Sequence, residues 1–104
     1  MKLKLGVSVL GIKPEILLAV IVAERIWSGA GVELVVTSCT DGQHSRGSKH
    51  YAGCAVDIRT HGLPDAPAIV QALGEALGPG YDVLLEGVGT PGEHCHVEWD
   101  PKTP

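Results

Sequence analysis

The chain has 104 residues, of which 44% are hydrophobic and 19% are charged, and its formal net charge is −4. A chain of this length forms about one domain and can bury one core without disulfides. We therefore expect a single domain over residues 1–104. Its eight basic residues are scattered among twelve acidic ones, whereas a nucleic-acid-binding protein needs a basic face. The composition therefore argues against a nucleic-acid partner.

The N-terminal region has some features of a secretory signal. Lys2 and Lys4 precede an apolar stretch, Leu5 to Ile12. Lys13 then interrupts this stretch, and no small-residue cleavage site follows at the right place. The next apolar run, Ile16 to Ala23, is too short to cross a bilayer. We therefore expect a protein that is made in the cytoplasm without a signal peptide and has no membrane partner.

The first third of the chain predicts two strands and one helix. Leu3–Val9 alternates apolar with polar residues, as strands do. Pro14 suits the first turn of a helix that continues to about Trp27, and Ser28–Gly31 ends that helix. The β-branched segment Val32–Thr37 then predicts a second strand.

The middle of the chain predicts a long loop, a strand and a second helix. Ser38–Gly53 is rich in Gly, Ser, Asp and His, which indicates an ordered loop of the kind that carries function. Cys54–Ile58 is a short apolar segment and predicts a strand. Ala66–Leu77 has helical spacing and is followed by Gly78–Gly80, which ends the helix.

The last part of the chain predicts a β-hairpin. Tyr81–Leu85 and Cys95–Trp99 read as two strands joined by the turn Gly87–Gly92, which favours antiparallel pairing. The elements together predict an α+β domain, with a mainly antiparallel sheet and two helices packed on it.

The three cysteines, Cys39, Cys54 and Cys95, lack the paired close spacing of a zinc ribbon or finger. We interpret them as small core residues. Alternation along the last strand supports this for Cys95, because it places Cys95 on the core side and His94 and His96 on the other face.

Four of the five histidines fall into two groups, His44 with His50 and His94 with His96. A single loop histidine is usually explained by hydrogen bonding. Two groups on separate elements, both beside acidic residues, instead indicate a metal. A catalytic zinc takes three nitrogen or oxygen ligands and leaves one position open.

His50, Asp57 and His96 suit such a site. Gly53 allows the chain between His50 and Asp57 to bend so that both side chains converge, and His96 comes from a distant strand. The ion would join the central loop to the final hairpin.

A carboxylate beside such a metal can take the proton of an attacking water. Glu86 is the preferred residue for this role, because it ends one hairpin strand close to His94. Glu93, three residues before His96, is the alternative, and either could instead be a solvated turn residue. His44 and His94 are predicted to donate hydrogen bonds beside the metal, and the alternative for both is hydrogen bonding within loops.

These motifs resemble those of a known group of enzymes. Ser48–Asp57 fits the pattern S-x-H-x-x-G-x-A-x-D of the zinc D-Ala-D-Ala carboxypeptidases and dipeptidases, which include several phage endolysins. Closer still, Asp41–Ile58 resembles the zinc-site loop of the Hedgehog signalling domain, which shares the peptidase fold. Tyr81–Glu86, followed by His94–His96, resembles the end of that domain.

The resemblance implies a zinc metallopeptidase, a hydrolase that acts on short peptides. We expect this protein to be a monomer. Its substrate would be the peptidoglycan stem peptide, reached after release from the cell, with D-Ala-D-Ala carboxypeptidase or L-Ala-D-Glu endopeptidase activity. The implied zinc ligands are His50, Asp57 and His96, with His44 and His94 beside the metal and Glu86 as the acid/base residue.

Two features qualify this resemblance. Glu93 matches the E-x-x-H spacing of the dipeptidases, so it stays open as the acid/base residue. Arg46 and Arg59 could hold a substrate carboxylate, although a solvated surface position is the preferred interpretation of each.

The alternative function is a non-catalytic, Hedgehog-like binding module in which zinc has only a structural role. The presence of both Glu86 and Glu93 favours the enzyme.

Overall fold

The computed structural model describes residues 1–41 and 52–101. His44 and His50 therefore lie outside the described residues. In chain order the elements are β1 (Lys2–Leu3), α1 (Pro14–Gly29), β2 (Val35–Ser38), β3 (Ala55–Arg59), α2 (Ala66–Leu77), β4 (Tyr81–Glu86) and β5 (His94–Trp99).

The strands form one five-stranded sheet in the order β1-β2-β3-β5-β4. β1 pairs with β2 in parallel, whereas the β2–β3, β3–β5 and β4–β5 pairs are antiparallel. The described chain is thus an α+β fold with a mixed, mainly antiparallel sheet and two helices, as the sequence predicts. The expected hairpin is confirmed as β4 and β5.

The predicted strand over Leu3–Val9 is wrong beyond its first residue. The Lys4 amide still bonds to the Val36 carbonyl at 2.9 Å, but the Val7 amide turns back to the Lys4 carbonyl at 3.1 Å. Gly6 has a φ of +90°, a conformation that glycine adopts readily. The chain therefore leaves the sheet in a turn, despite its strand-like alternation.

The second strand begins later than its sequence predicts. The Val32 amide bonds to the Trp27 carbonyl at 3.0 Å, and Gly31 has a φ of +78°. These residues satisfy the last carbonyls of α1, as is common after a helix C-terminus. The strand therefore runs over Val35–Ser38 instead of Val32–Thr37.

Both helices cover one face of the sheet. The core includes Trp27 of α1 and Leu73 of α2, which are fully buried, together with Val56 and Ile58 of β3 and Val97 of β5. Fully burying one of these Val, Leu or Ile side chains stabilises the fold by about 1.5–3 kcal/mol. Because this face holds the apolar side chains, the polar residues of the same strands lie on the opposite, open face.

The predicted burial of the cysteines is confirmed for Cys39 and Cys95, which have no exposed surface. Removal from water raises the pKa of the Cys39 thiol to about 11 and that of Cys95 to about 12, with smaller contributions from nearby carboxylates. Cys54 is only half-buried.

Candidate metal centre

The open face of the sheet brings the predicted site residues together through its strand register. Asp57 of β3 lies directly opposite His96 of β5, and Arg59 lies opposite His94. Glu86 of β4 lies opposite His94 on its other side. Directly opposite residues project to the same face, so all five side chains share that face.

His96 lies between two carboxylates. Its Nδ1 is 2.9 Å from Asp57 Oδ1, and its Nε2 is 2.8 Å from Glu98 Oε1. The hydrogen bond with Asp57 is the main cause that raises the pKa of His96 to about 9; burial opposes it, and Glu98 reinforces it. Without a metal the ring is therefore an imidazolium at neutral pH, and metal binding must release its proton.

His94 is oriented by a backbone carbonyl. Its Nδ1 lies 2.8 Å from the Gly92 carbonyl oxygen, which can only accept, so Nδ1 carries the proton. Its Nε2 lies 3.0 Å from Glu86 Oε1 and 3.6 Å from Asp57 Oδ1. Nε2 is the nitrogen turned toward Asp57.

Both rings therefore have the arrangement expected of metal-binding histidines, in which the nitrogen away from the ion donates to a carbonyl or carboxylate. For His94 that acceptor is Gly92, and for His96 it is Glu98. The possible ligand atoms of Asp57, His94 and His96 all lie within 4.8 Å of one another. Two imidazole nitrogens and one carboxylate oxygen are a donor set that fits zinc.

Two of the three ligands predicted from sequence lie together in the structure. Asp57 and His96 belong to the possible metal group that they form with His94. His94, which was expected beside the metal, lies in the group itself. His50, the expected third ligand, and His44 lie outside the described residues, so their roles stay predictions.

The two candidate glutamates have different surroundings. The Glu86 side chain is 46% exposed and contacts His94. Glu93 Oε1 instead accepts a hydrogen bond of 2.8 Å from the hydroxyl of the buried Thr60, and its Oε2 accepts one of 3.4 Å from the Gly89 amide. Glu93 thus joins the β4–β5 turn to the end of β3.

An open groove of about 700 Å³ runs beside the candidate centre. Sequence reasoning missed Lys4 and His61 as part of this groove, because only the folded sheet brings them to it. It also missed the contact of Thr60 with Glu93. The groove is lined by Lys4, Thr37, Asp57, Arg59, His61, Pro91, Gly92, Glu93 and His94.

Two small residues of the S-x-H-x-x-G-x-A-x-D pattern have packing roles. A Cβ on Gly53 would lie 2.2 Å from the Gly11 carbonyl oxygen, and the Gly53 carbonyl accepts a 3.0 Å hydrogen bond from the Lys13 amide. Gly53 also has a φ of +74°. Ala55 is completely buried. These residues fix the start of β3 and thereby the position of Asp57.

No protein-family model matches this chain, and searches against curated proteins and solved structures gave no significant match. Across residues 1–41 and 52–101, no helix is long and apolar enough to cross a membrane.

Proposed function

We propose that this chain is a zinc-dependent peptidase that hydrolyses an amide bond in short peptides, with the peptidoglycan stem peptide as its substrate after release from the cell. One observation carries the proposal: Asp57, His94 and His96 form a possible metal group beside an open groove, with Glu86 Oε1 3.0 Å from His94. The substrate class is supported by the resemblance of Ser48–Asp57 to the zinc carboxypeptidases and dipeptidases.

Asp57 and His96 are the two ligands that sequence and geometry both support. The resemblance implies that His50 is the third ligand and that His94 lies beside the metal. The group formed by Asp57, His94 and His96 instead makes His94 the third ligand. Zinc, when bound, supplies a Lewis acid that polarises the carbonyl of the substrate. Zinc content after dialysis of His50→Ala and His94→Ala distinguishes the two assignments. We expect the larger loss of zinc in His50→Ala if His50 is the third ligand, and in His94→Ala if His94 is.

Hydrolysis requires that water lose a proton as it attacks the carbonyl and that the leaving amine gain one. The Glu86 carboxylate is suited to both transfers, because its side chain is 46% exposed and lies beside the candidate ligand His94. Glu93 is less suited, since its two oxygens already accept hydrogen bonds from Thr60 and Gly89. The proposal therefore assigns proton transfer to Glu86 and a positioning role to Glu93.

The alternative is a non-catalytic, Hedgehog-like zinc-containing binding module. It is favoured by the position of Glu86 Oε1, 3.0 Å from His94 Nε2, because a fourth protein group this close could close the metal shell. A closed shell is typical of structural zinc.

The decisive experiment is digestion of purified peptidoglycan by the zinc-loaded protein, with mass analysis of the products. We expect fragments that disappear when zinc is chelated. Glu86→Gln should lose about 10²-fold or more in rate, Glu93→Gln should lose less, and Glu33→Gln, an exposed glutamate elsewhere, should keep full activity. If the protein holds zinc but releases nothing from cell wall or short peptides, the binding module becomes the better explanation.

A further inference from the structure

The exposed large hydrophobic residues are concentrated near the N-terminus. Eight of the ten in the described part of the chain lie within residues 1–21, and the other two are Leu84 and Val88. Single exposed apolar residues are common, whereas a continuous apolar surface marks a site of protein or membrane contact. Met1 and Leu17 line one apolar groove of about 330 Å³, so the N-terminal segment and α1 adjoin each other. We call the following exposed residues the N-terminal patch: Met1, Leu3, Leu5, Val9, Leu10, Leu17, Leu18 and Ile21.

Helix α1 is apolar on its outward side as well as toward the core. Its core side includes the buried residues Ile16, Val20 and Trp27. Leu17 and Ile21 lie one turn apart on the outward side and are 49% and 48% exposed. A helix that is apolar all round is normally covered on every side. The outward side of α1 therefore has the character of a contact surface.

Basic side chains flank the α1 part of the patch. The exposed Lys13 is the N-cap residue of α1 and lies four residues before Leu17. The exposed Arg25 lies four residues after Ile21. Because residues four apart share one side of a helix, these side chains form one row that begins and ends with a positive charge. We call it the outer row of α1. Lys2 lines the apolar groove itself.

Acidic side chains lie at the boundary of the patch. Glu24 Oε2 is 3.4 Å from the Met1 amino group, and Glu24 and Glu33 line a separate depression near the end of α1. Asp41 Oδ1 accepts hydrogen bonds from two backbone amides, and Glu15 is only partly exposed. The outer row of α1 therefore presents apolar and positively charged groups.

These charges decide between two partners for the patch. In an antiparallel pair of α1 helices, a two-fold axis that sets Leu17 of one copy against Ile21 of the other acts on the whole row. It also sets Lys13 against Arg25, and two positive charges repel. An anionic bilayer instead offers an apolar interior for the leucines and negative headgroups for the basic residues. The rest of the chain does not supply this attraction, because the formal net charge is −4.

We infer that the N-terminal patch binds the surface of an anionic lipid bilayer, with its apolar side chains in the interface and Lys2, Lys13 and Arg25 at the headgroups. The inference does not depend on the proposed peptidase function. Both helices cover one face of the sheet and the candidate centre lies on the other, so a chain bound through α1 keeps that centre open. The expectation of no membrane partner rests on the length that a spanning segment needs. The patch revises it, because a protein bound at the surface needs no such segment.

The test measures co-sedimentation of the full chain with vesicles of phosphatidylglycerol, which is anionic, and of phosphatidylcholine, which has no net charge. We expect about tenfold or more tighter binding to phosphatidylglycerol, and added salt should weaken it. Lys13→Gln should weaken this binding about fivefold, the contribution of one basic residue near an anionic surface. Leu18→Ser should weaken it about tenfold through the lost apolar contact.

Two matched pairs of variants separate the patch from the rest of the surface. Arg25→Gln and Arg59→Gln remove the same charge from exposed arginines, but Arg59 lies on β3. Leu18→Ser and Leu84→Ser change leucines that are 54% and 50% exposed, but Leu84 lies on β4. We expect the variants at Arg25 and Leu18 to bind more weakly and those at Arg59 and Leu84 to bind as the wild type does. Circular dichroism of each variant checks that the fold is kept.

Three results would overturn the inference. The chain could bind neither kind of vesicle, it could bind both equally, or the control variants could lose as much binding as the patch variants. Sedimentation of the free chain tests the other partner. If the chain forms a dimer that Leu18→Ser dissociates, and the vesicles bind nothing, then a second copy covers the patch and the bilayer does not.

Discussion

Adding one methyl group at Gly53 tests whether its close contact with the N-terminal segment stabilises the fold. In Gly53→Ala the new Cβ would lie 2.2 Å from the Gly11 carbonyl oxygen and 3.0 Å from its carbon. Both are backbone atoms, so no side-chain rotation relieves the overlap. The segment must move, which strains the 3.0 Å hydrogen bond from the Lys13 amide to the Gly53 carbonyl.

The expected loss of stability has two parts. The φ of +74° at Gly53 costs an alanine about 1–2 kcal/mol, and loss of the hydrogen bond adds about 1 kcal/mol. We expect Gly53→Ala to lower the free energy of unfolding by about 2–3 kcal/mol in total. Urea unfolding of the metal-free protein, followed by circular dichroism, measures this value.

Gly62→Ala is the matched control for this experiment. Gly62 has a φ of +91°, but a Cβ there would meet nothing within 4 Å. This variant should lose only the conformational part, about 1–2 kcal/mol. If Gly53→Ala and Gly62→Ala lose the same amount, the close approach to Gly11 does not matter and our explanation of the glycine in the pattern is wrong.

Three further predictions concern the thiols and the Thr60 contact. In the native protein Cys54 should react first with a disulfide reagent, whereas the buried Cys39 and Cys95 should react only on unfolding; equal rates for all three would contradict the described burial. In the folded protein the pKa of Cys39 is raised to about 11 and that of Cys95 to about 12, whereas the pKa of both thiols in the unfolded chain is near 9.0. The free energy of unfolding should therefore be unaffected below pH 9 and fall above it, by up to about 1.4 kcal/mol per pH unit for each thiol; a titration of urea midpoints that stays flat from pH 9 to 11 would rule this out. Thr60→Val should destabilise the fold by about 1–2 kcal/mol, and a double-mutant cycle with Glu93→Gln should show coupling, whereas additive losses would mean that the 2.8 Å contact contributes nothing.

The elements that sequence predicted well are those specified by neighbouring residues. Helix α2 spans Ala66–Leu77 as expected. The Asp65 side chain accepts a hydrogen bond from the Ala68 amide at its start, and Gly78 follows its end. Such caps are visible in the sequence because they involve residues close along the chain.

The parts that sequence could not predict depend on contacts between distant segments. The parallel pairing of β1 with β2 brings Lys4 to the groove, and nothing near Lys4 in the sequence indicates this. The bond of Thr60 to Glu93 likewise joins residues 33 positions apart. Asp57 and His96 could be proposed from sequence as ligands of one ion, but not as direct neighbours, because the strand register that places them opposite each other is a property of the folded sheet.

That register links the candidate centre to the core on the other side of the sheet. Along β5, His94 and His96 face the centre, while Cys95 and Val97 between and beside them are completely buried. A slip of one residue would move Cys95 to the centre and bury His96, whose ring is charged without a metal. Because that exchange is so costly, the packing of Cys95 and Val97 against the helices holds His96 opposite Asp57 before any ion binds.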